Sequence, residues 1–214
     1  SKTYYFVGIG GIGMSAIARY LKNNGHNIYG YDRTRTQLTA ELEKEGMNVT
    51  YEDDINHLPE VIDLAIYTPA IPAENKILKE IIKRGIQLNK RAFALAEIVK
   101  EKKVIAIAGT HGKTTTSGLL AHLLYNSKIG CSAFLGGIAN NYSTNMLCDT
   151  KSEYVVAEAD EYDRSFLNLN PFVSAITSIS PDHLDIYQNK ENLEQAFAQF
   201  ANQTDKNGHV FLKK

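Results

Sequence analysis

Short apolar runs alternate with helical stripes along most of this chain. Residues 4–9 are apolar, and Met14, Ile17, Ala18 and Leu21 then recur at helical spacing, which predicts a strand, a turn and a helix. The same alternation predicts strands over 27–31, 48–51 and 62–67, a helix over 36–45, and a helix with the core stripe Ile77, Leu78, Ile81 and Ile82. A short strand over 87–89 and a helix over 91–100 follow, and the polar run Glu101-Lys102-Lys103 then suits a domain boundary. Beyond it the pattern restarts with an apolar run from Val104 and a helix whose Leu119, Leu120, Leu123 and Leu124 are expected to face a core. Further strands are predicted over 131–135, 154–157, 173–179 and 209–212, with an amphipathic helix carrying Leu193, Ala196, Phe197 and Phe200. Strands that alternate with helices in this way build α/β domains with parallel sheets.

Composition removes several classes of function. A formal net charge of -1 and 43% hydrophobic residues over 214 positions describe a globular chain without the basic excess of a nucleic-acid binder. No apolar run approaches the roughly 18 residues of a membrane span, so no membrane partner is expected. The chain opens on Tyr4-Tyr5-Phe6-Val7 without a basic leader, and a cytoplasmic location is the expectation. Cys131 and Cys148 lack metal-ligand spacing and read as reduced structural thiols.

The chemistry is expected in the turns. Gly8, Gly10 and Gly13 give a G-x-G-x-x-G turn between strand and helix, and Asp32 ends the next strand, where such folds carry a ribose-binding acid or simply a cap. Thr68-Pro69-Ala70-Ile71-Pro72 ends another strand and reads either as a ligand loop or as a tight turn. In the second half, Gly109-Thr110-His111-Gly112-Lys113-Thr114-Thr115-Thr116 follows the apolar run and opens a helix. Glycines let backbone N–H groups converge on an anion there, Lys113 would meet the outer phosphates of a nucleotide, and the Thr114 hydroxyl would face Mg²⁺. The loop is shorter than the general phosphate-loop pattern, whose first glycine would fall at Ile107. Glu158 closes a strand pattern and is the favoured protein ligand for the metal, with Asp160, Glu161 and Asp163 behind it. His183 also falls at a strand end, in Pro181-Asp182-His183-Leu184-Asp185. Residues 140–145 are either a substrate loop or an exposed turn. Together these features predict a Rossmann-like parallel-sheet domain over 1–100 and part of a P-loop α/β ATPase domain over 101–214.

On these motifs the whole chain resembles the Mur ligases. The resemblance rests on the turn at Gly8–Gly13, the loop at Gly109–Thr116, the run Glu158-Ala159-Asp160-Glu161-Tyr162-Asp163-Arg164-Ser165-Phe166, and Pro181 to Tyr187. The shortened phosphate loop is that family's own form. What the resemblance implies is an ATP-dependent ligase of peptidoglycan synthesis with three domains, the third absent here. ATP and Mg²⁺ are the implied cofactors, and Gly109, Thr110, His111, Gly112, Lys113, Thr114 and Thr115 the implied nucleotide contacts. Lys113, Glu158 and His183 are the implied catalytic set, with Thr114, Glu158 and His183 holding metal. Gly10, Gly11, Ile12, Gly13, Asp32, Thr68, Pro69, Ala70 and Ile71 are implied on the side of the UDP substrate. The member of the family that the motifs favour joins L-alanine to the carboxylate of UDP-N-acetylmuramate through an acyl phosphate. The fragment is expected to bind without ligating, and an unfinished sheet would leave an edge strand open to homodimer pairing.

Four rivals remain at this level. A nicotinamide-dependent oxidoreductase explains the first 35 residues only, and a P-loop kinase or regulatory ATPase explains the second half only. A non-catalytic UDP-sugar-binding module needs no chemistry at Glu158. A murein tripeptide recycling ligase of the same family shares the loop and the acidic run.

Overall fold

The computed structural model describes residues 1–180 and 187–213, apart from the side chain of Asp163. The chain forms two compact units that divide between Ala94 and Leu95. The first holds a five-stranded sheet of β1 (Thr3–Val7), β2 (Asn27–Tyr31), β3 (Asn48–Thr50), β4 (Leu64–Tyr67) and β5 (Leu88–Lys90). Its order is β3-β2-β1-β4-β5 and every pairing is parallel. The chain moves outward from β1 to β3, then returns to the other side of β1 for β4. That reversal opens a crevice at the C-terminal ends of β1 and β4, the usual ligand position in such sheets.

Helices complete this unit. Tyr4 to Val7 are all buried because a central parallel strand is covered on both faces. On α1 (Ile12–Asn23) the expected stripe of Met14, Ile17, Ala18 and Leu21 is buried. Arg19 is buried too, and it reaches Glu41 at 3.2 Å and Glu45 at 2.7 Å, which ties α1 to α2 (Gln37–Lys44). A reciprocal capping box between Thr36 and Thr39 starts α2. Thr36→Ala is therefore expected to cost about 1 kcal/mol of stability, checked by urea unfolding. On α3 (Lys76–Lys83), Ile77, Leu78 and Ile81 meet the core, but Ile82 is 60% exposed. The sheet covers only the arc from Ile77 through Ile81 to Leu78, and Ile82 falls outside it.

The second unit starts within α4 (Arg91–Val99) and carries a mixed six-stranded sheet. Its strands are β6 (Lys103–Ala108), β7 (Ser132–Ala139), β8 (Thr144–Leu147), β9 (Tyr154–Glu158), β10 (Val173–Ile176) and β11 (His209–Leu212). The order is β11-β10-β6-β9-β7-β8, with only the β7–β8 pair antiparallel. Helices α5 (Lys113–Tyr125) and α6 (Lys190–Asn202) belong to it. Phe200 of α6 stacks on Phe166 at 5.0 Å between centroids, and Phe197 meets the same ring edge-on at 5.3 Å.

The second unit departs from the sequence reading in three places. Leu119 and Leu123 are about 60% exposed (61% and 60%), while Ser117 and Ala121 are buried and Leu120 and Leu124 pack on the core. The buried arc of α5 runs through 117, 120, 121 and 124, and 119 and 123 lie on the opposite side. Strand β7 does not stop at the expected 135 but continues through Gly136 and Gly137 to Ala139, and its ladder to β8 shifts register between Phe134 and Ala139. Residues 140–143 are the turn of that hairpin. Thr144 already begins β8, and Asn145 is buried.

Both cysteines are free, and burial, with the charge of Asp149, pushes the Cys131 thiol up from an ordinary 9.0 to about 11. A raised thiol favours the protonated form in the fold. That contribution is full below about pH 9 and disappears as pH rises through about 11. Iodoacetamide at pH 8 is thus expected to leave Cys131 unmodified until the protein is denatured, read by mass spectrometry.

Candidate functional site

Two sites sit at strand ends, one in each unit. In the second, β6 ends at Ala108 and the chain turns through Gly109 (φ +132) and Gly112 (φ +82) into α5. A Cβ on Gly109 would lie 2.2 Å from the Thr177 hydroxyl, so the turn both needs glycine backbone and has no room for a side chain. The loop is laced to the end of β10. Thr110 N–H donates to the Ser178 carbonyl at 3.0 Å and His111 N–H to the Ser178 hydroxyl at 2.9 Å. The Thr177 hydroxyl donates to the His111 carbonyl, and Ser180 N–H donates to the Thr110 hydroxyl at 3.1 Å. Gly112 caps α5 without any side-chain bond, which leaves first-turn N–H groups facing an anion position. Thr115 is exposed on that first turn.

Three charged side chains meet the loop. The Lys113 ammonium donates to the Gly109 carbonyl at 2.7 Å and to the Glu161 carboxylate at 2.8 Å. The Thr114 hydroxyl lies 3.0 Å from both oxygens of Glu158, which β9 delivers from the neighbouring position in the sheet. Gly136 N–H donates to Glu158 at 3.1 Å, and a Cβ on Gly136 would fall 2.2 Å from that carboxylate. Hard oxygen donors on Thr114 and Glu158, held in a glycine cradle beside a cation, are a donor set suited to Mg²⁺. His183, with Pro181, Asp182, Leu184 and Asp185, lies outside the described residues. A cavity of about 500 Å³ adjoins the loop, with His111, Gly112 and Thr116 on one wall and Ile176, Phe211 and Leu212 on an apolar one.

The site in the first unit is the crevice between β1 and β4. Its cavity, about 550 Å³, is lined by Gly8, Gly11, Asp32, Thr68, Ala70 and Ile71, together with Tyr31, Arg33, Asp53, Pro72, Glu74 and Asn75. Five of the expected residues, Gly11, Asp32, Thr68, Ala70 and Ile71, are therefore on its wall. Gly10, Ile12, Gly13 and Pro69 are not among the lining residues. Asp32 accepts from Gly10 N–H at 2.8 Å, so the acid at the end of β2 also fixes the glycine turn. Asp53 accepts from Lys76 and Ile77 N–H at 2.9 and 3.0 Å, which docks its carboxylate on the start of α3. Burial, then the charges of Asp53 and Asp32, holds the Tyr31 hydroxyl above its ordinary range.

Sequence reasoning missed Asp53, Thr177, Ser178 and Gly136. Thr177 and Ser178 lie 66 and 67 residues from their His111 partner and carry no local motif. Only the parallel pairing of β6 with β10 brings them to the loop. Elsewhere in the first unit, Glu52, Asp54 and His57 bring donor atoms within 4.8 Å of one another. Asp54 is already engaged there as the cap of a short turn through Asn56 N–H, which holds its carboxyl below the usual range.

Known proteins match both units. Residues 3–103 match the family described as Mur ligase family, catalytic domain, and residues 107–214 match the Mur ligase middle domain. The chain is 49% identical over 217 residues to the UDP-N-acetylmuramate--L-alanine ligase of Porphyromonas gingivalis W83, covering 99% of this chain and 48% of that protein. It superimposes on the crystal structure of UDP-N-acetylmuramate-alanine ligase from Thermotoga maritima with a TM-score of 0.89 and 31% identity, over 99% of this chain and 49% of that one. The UDP-N-acetylmuramate:L-alanyl-gamma-D-glutamyl-meso-diaminopimelate ligase of Neisseria meningitides shares the fold at a TM-score of 0.88 and 24% identity, over 99% of this chain and 71% of its own. The chain thus spans about half the length of the curated relatives it matches. Among the described residues no helix is long and apolar enough to cross a membrane.

Proposed function

Because this chain belongs to the Mur ligase family, we propose that it is the substrate- and nucleotide-binding part of an ATP-dependent ligase that joins L-alanine to UDP-N-acetylmuramate. Residues 1–100 take the uridine diphosphate end of the substrate, and residues 101–214 take MgATP. The observation that carries this reading is the Thr114 hydroxyl at 3.0 Å from Glu158, beside Lys113 on a glycine loop. That arrangement holds a metal-bound triphosphate, and a nicotinamide enzyme has no use for it. Identity of 49% over nearly the whole chain to a relative named UDP-N-acetylmuramate--L-alanine ligase favours alanine.

Each residue has a physical task. Lys113 presents its ammonium to the outer phosphates, and the unpaired N–H groups behind Gly112 add the positive end of α5. Thr114 and Glu158 would hold Mg²⁺, and His183 would supply a donor to a second ion. Bound Mg²⁺ neutralises charge on the phosphate oxygens and so lowers repulsion of an incoming carboxylate. In the ligase reaction the muramate carboxylate takes the γ-phosphoryl group and ADP departs. The alanine amine then attacks the acyl phosphate, the C–N bond forms and phosphate leaves. Catalysis of this kind is positioning and charge neutralisation, and an acid such as Glu158 serves it as a metal donor. The 214 residues bind both substrates and do not close the amide bond by themselves.

Calorimetric titration with MgATP, UDP-N-acetylmuramate and NADH tests the reading. The first two are expected to bind independently and saturably. Tight NADH binding without UDP-sugar binding would overturn it, and alanine-dependent phosphate release by these 214 residues would sink the claim that they do not ligate.

A further inference from the structure

The Lys113 ammonium is shared between two acceptors of its own chain. It gives one bond to the Gly109 carbonyl at 2.7 Å and contacts both oxygens of Glu161, at 2.8 and 3.1 Å. The Glu161 side chain has no exposed surface, while that of Lys113 keeps 15%. A buried carboxylate is costly unless a cation accompanies it, so this contact matters to the fold in its present state. An ammonium has three N–H donors. With one on Gly109 and the others turned to Glu161, an arriving phosphate must draw at least one donor away from Glu161. The backbone that carries the acid is held in place, since the Glu161 carbonyl accepts from the Tyr187 hydroxyl at 2.5 Å and from Arg164 N–H at 3.0 Å.

We propose that Glu161 is the resting partner of Lys113, competing with nucleotide phosphates for the ammonium and thereby setting nucleotide affinity downward. The inference rests on the nucleotide-binding reading of the Gly109–Thr116 loop. Glu161 acts through Lys113 and does not touch the nucleotide, so it is a positioning residue. Its neighbour Glu158, whose carboxylate faces the Thr114 hydroxyl at 3.0 Å, is a metal donor. Two acids three residues apart therefore have opposite effects when neutralised: Glu158→Gln weakens MgADP binding and Glu161→Gln strengthens it.

Titration calorimetry of the 214-residue chain with MgADP tests this on the unmodified protein, Glu161→Gln, Lys113→Ala and the double variant. Glu161→Gln is expected to bind about tenfold more tightly, which corresponds to roughly 1.4 kcal/mol. The gain should vanish when Lys113 is alanine, since a cycle isolates the coupling of the pair. Equal or weaker binding by folded Glu161→Gln overturns the proposal, and so does a gain that survives without Lys113. Should that variant fail to fold, ¹⁵N-lysine NMR of the unmodified chain supplies the readout. The Lys113 ammonium resonance, assigned by its loss in Lys113→Arg, must shift as it leaves Glu161 on addition of MgADP, and an unmoved resonance at saturation overturns the proposal. If no form binds MgADP, the nucleotide reading fails and takes this one with it. Normal binding by the unmodified chain with no gain in Glu161→Gln removes only the role of Glu161.

Discussion

Lys113→Ala is expected to lower MgATP affinity at least about 100-fold, the loss of roughly 2.7 kcal/mol of charge-assisted bonding to phosphate. Binding of UDP-N-acetylmuramate should stay within twofold or so, because the crevice between β1 and β4 belongs to a different compact unit. The change also takes a cation from buried Glu161, so the second unit should unfold at a lower temperature. Both ligands are therefore titrated well below that transition. Parallel loss of UDP-sugar affinity would mean that the two sites are one, contrary to the proposed division of labour.

Gly136→Ala is expected to leave the fold intact and to damage metal binding. An added Cβ would stand 2.2 Å from the Glu158 carboxylate, which is the mobile end of a flexible side chain. The side chain can swing away at small cost, but it then abandons both the Thr114 hydroxyl and the Gly136 N–H. Losing a bond that orients a metal donor typically costs about 10- to 100-fold in metal affinity. The measurement is ATP affinity as a function of Mg²⁺ concentration. The half-saturating Mg²⁺ should rise by about that factor while ATP binding without metal stays unchanged. An unchanged Mg²⁺ dependence would remove Glu158 from the metal site.

Much of the architecture was legible because the signals are local. Strand β2 begins and ends where the alternation predicts, at Asn27 and Tyr31, since buried parallel strands leave continuous apolar runs between polar turns. The loop at Gly109–Lys113 was legible for a similar reason: glycine at φ +132 and +82 is a backbone requirement that composition cannot hide. Other features depend on what lies across the sheet. Four leucines on α5 look equivalent in the sequence, yet only Leu120 and Leu124 share the arc of Ala121 that packs on β7 and β9. The strand reading over 131–135 stops short of Gly136-Gly137, where the lack of a side chain at Gly136 allows a close approach to Glu158 within β7. Asp53 is one acid among several in a polar stretch until α3 presents its N–H groups to it. Thr68, Ala70 and Ile71 could be placed at the crevice from the sequence because they follow a strand end, whereas Tyr31 and Asn75 reach the same cavity from neighbouring elements.

The hydroxyls of Thr110, Thr177 and Ser178 fasten the Gly109–Thr116 loop through bonds within its own unit. The entropy of ordering that loop has been lost during folding and is not charged again at each encounter. If the loop binds nucleotide as proposed, capture needs no slow closing step, so association should track diffusion and orientation alone. Discrimination among nucleotides then resides in how long each one stays.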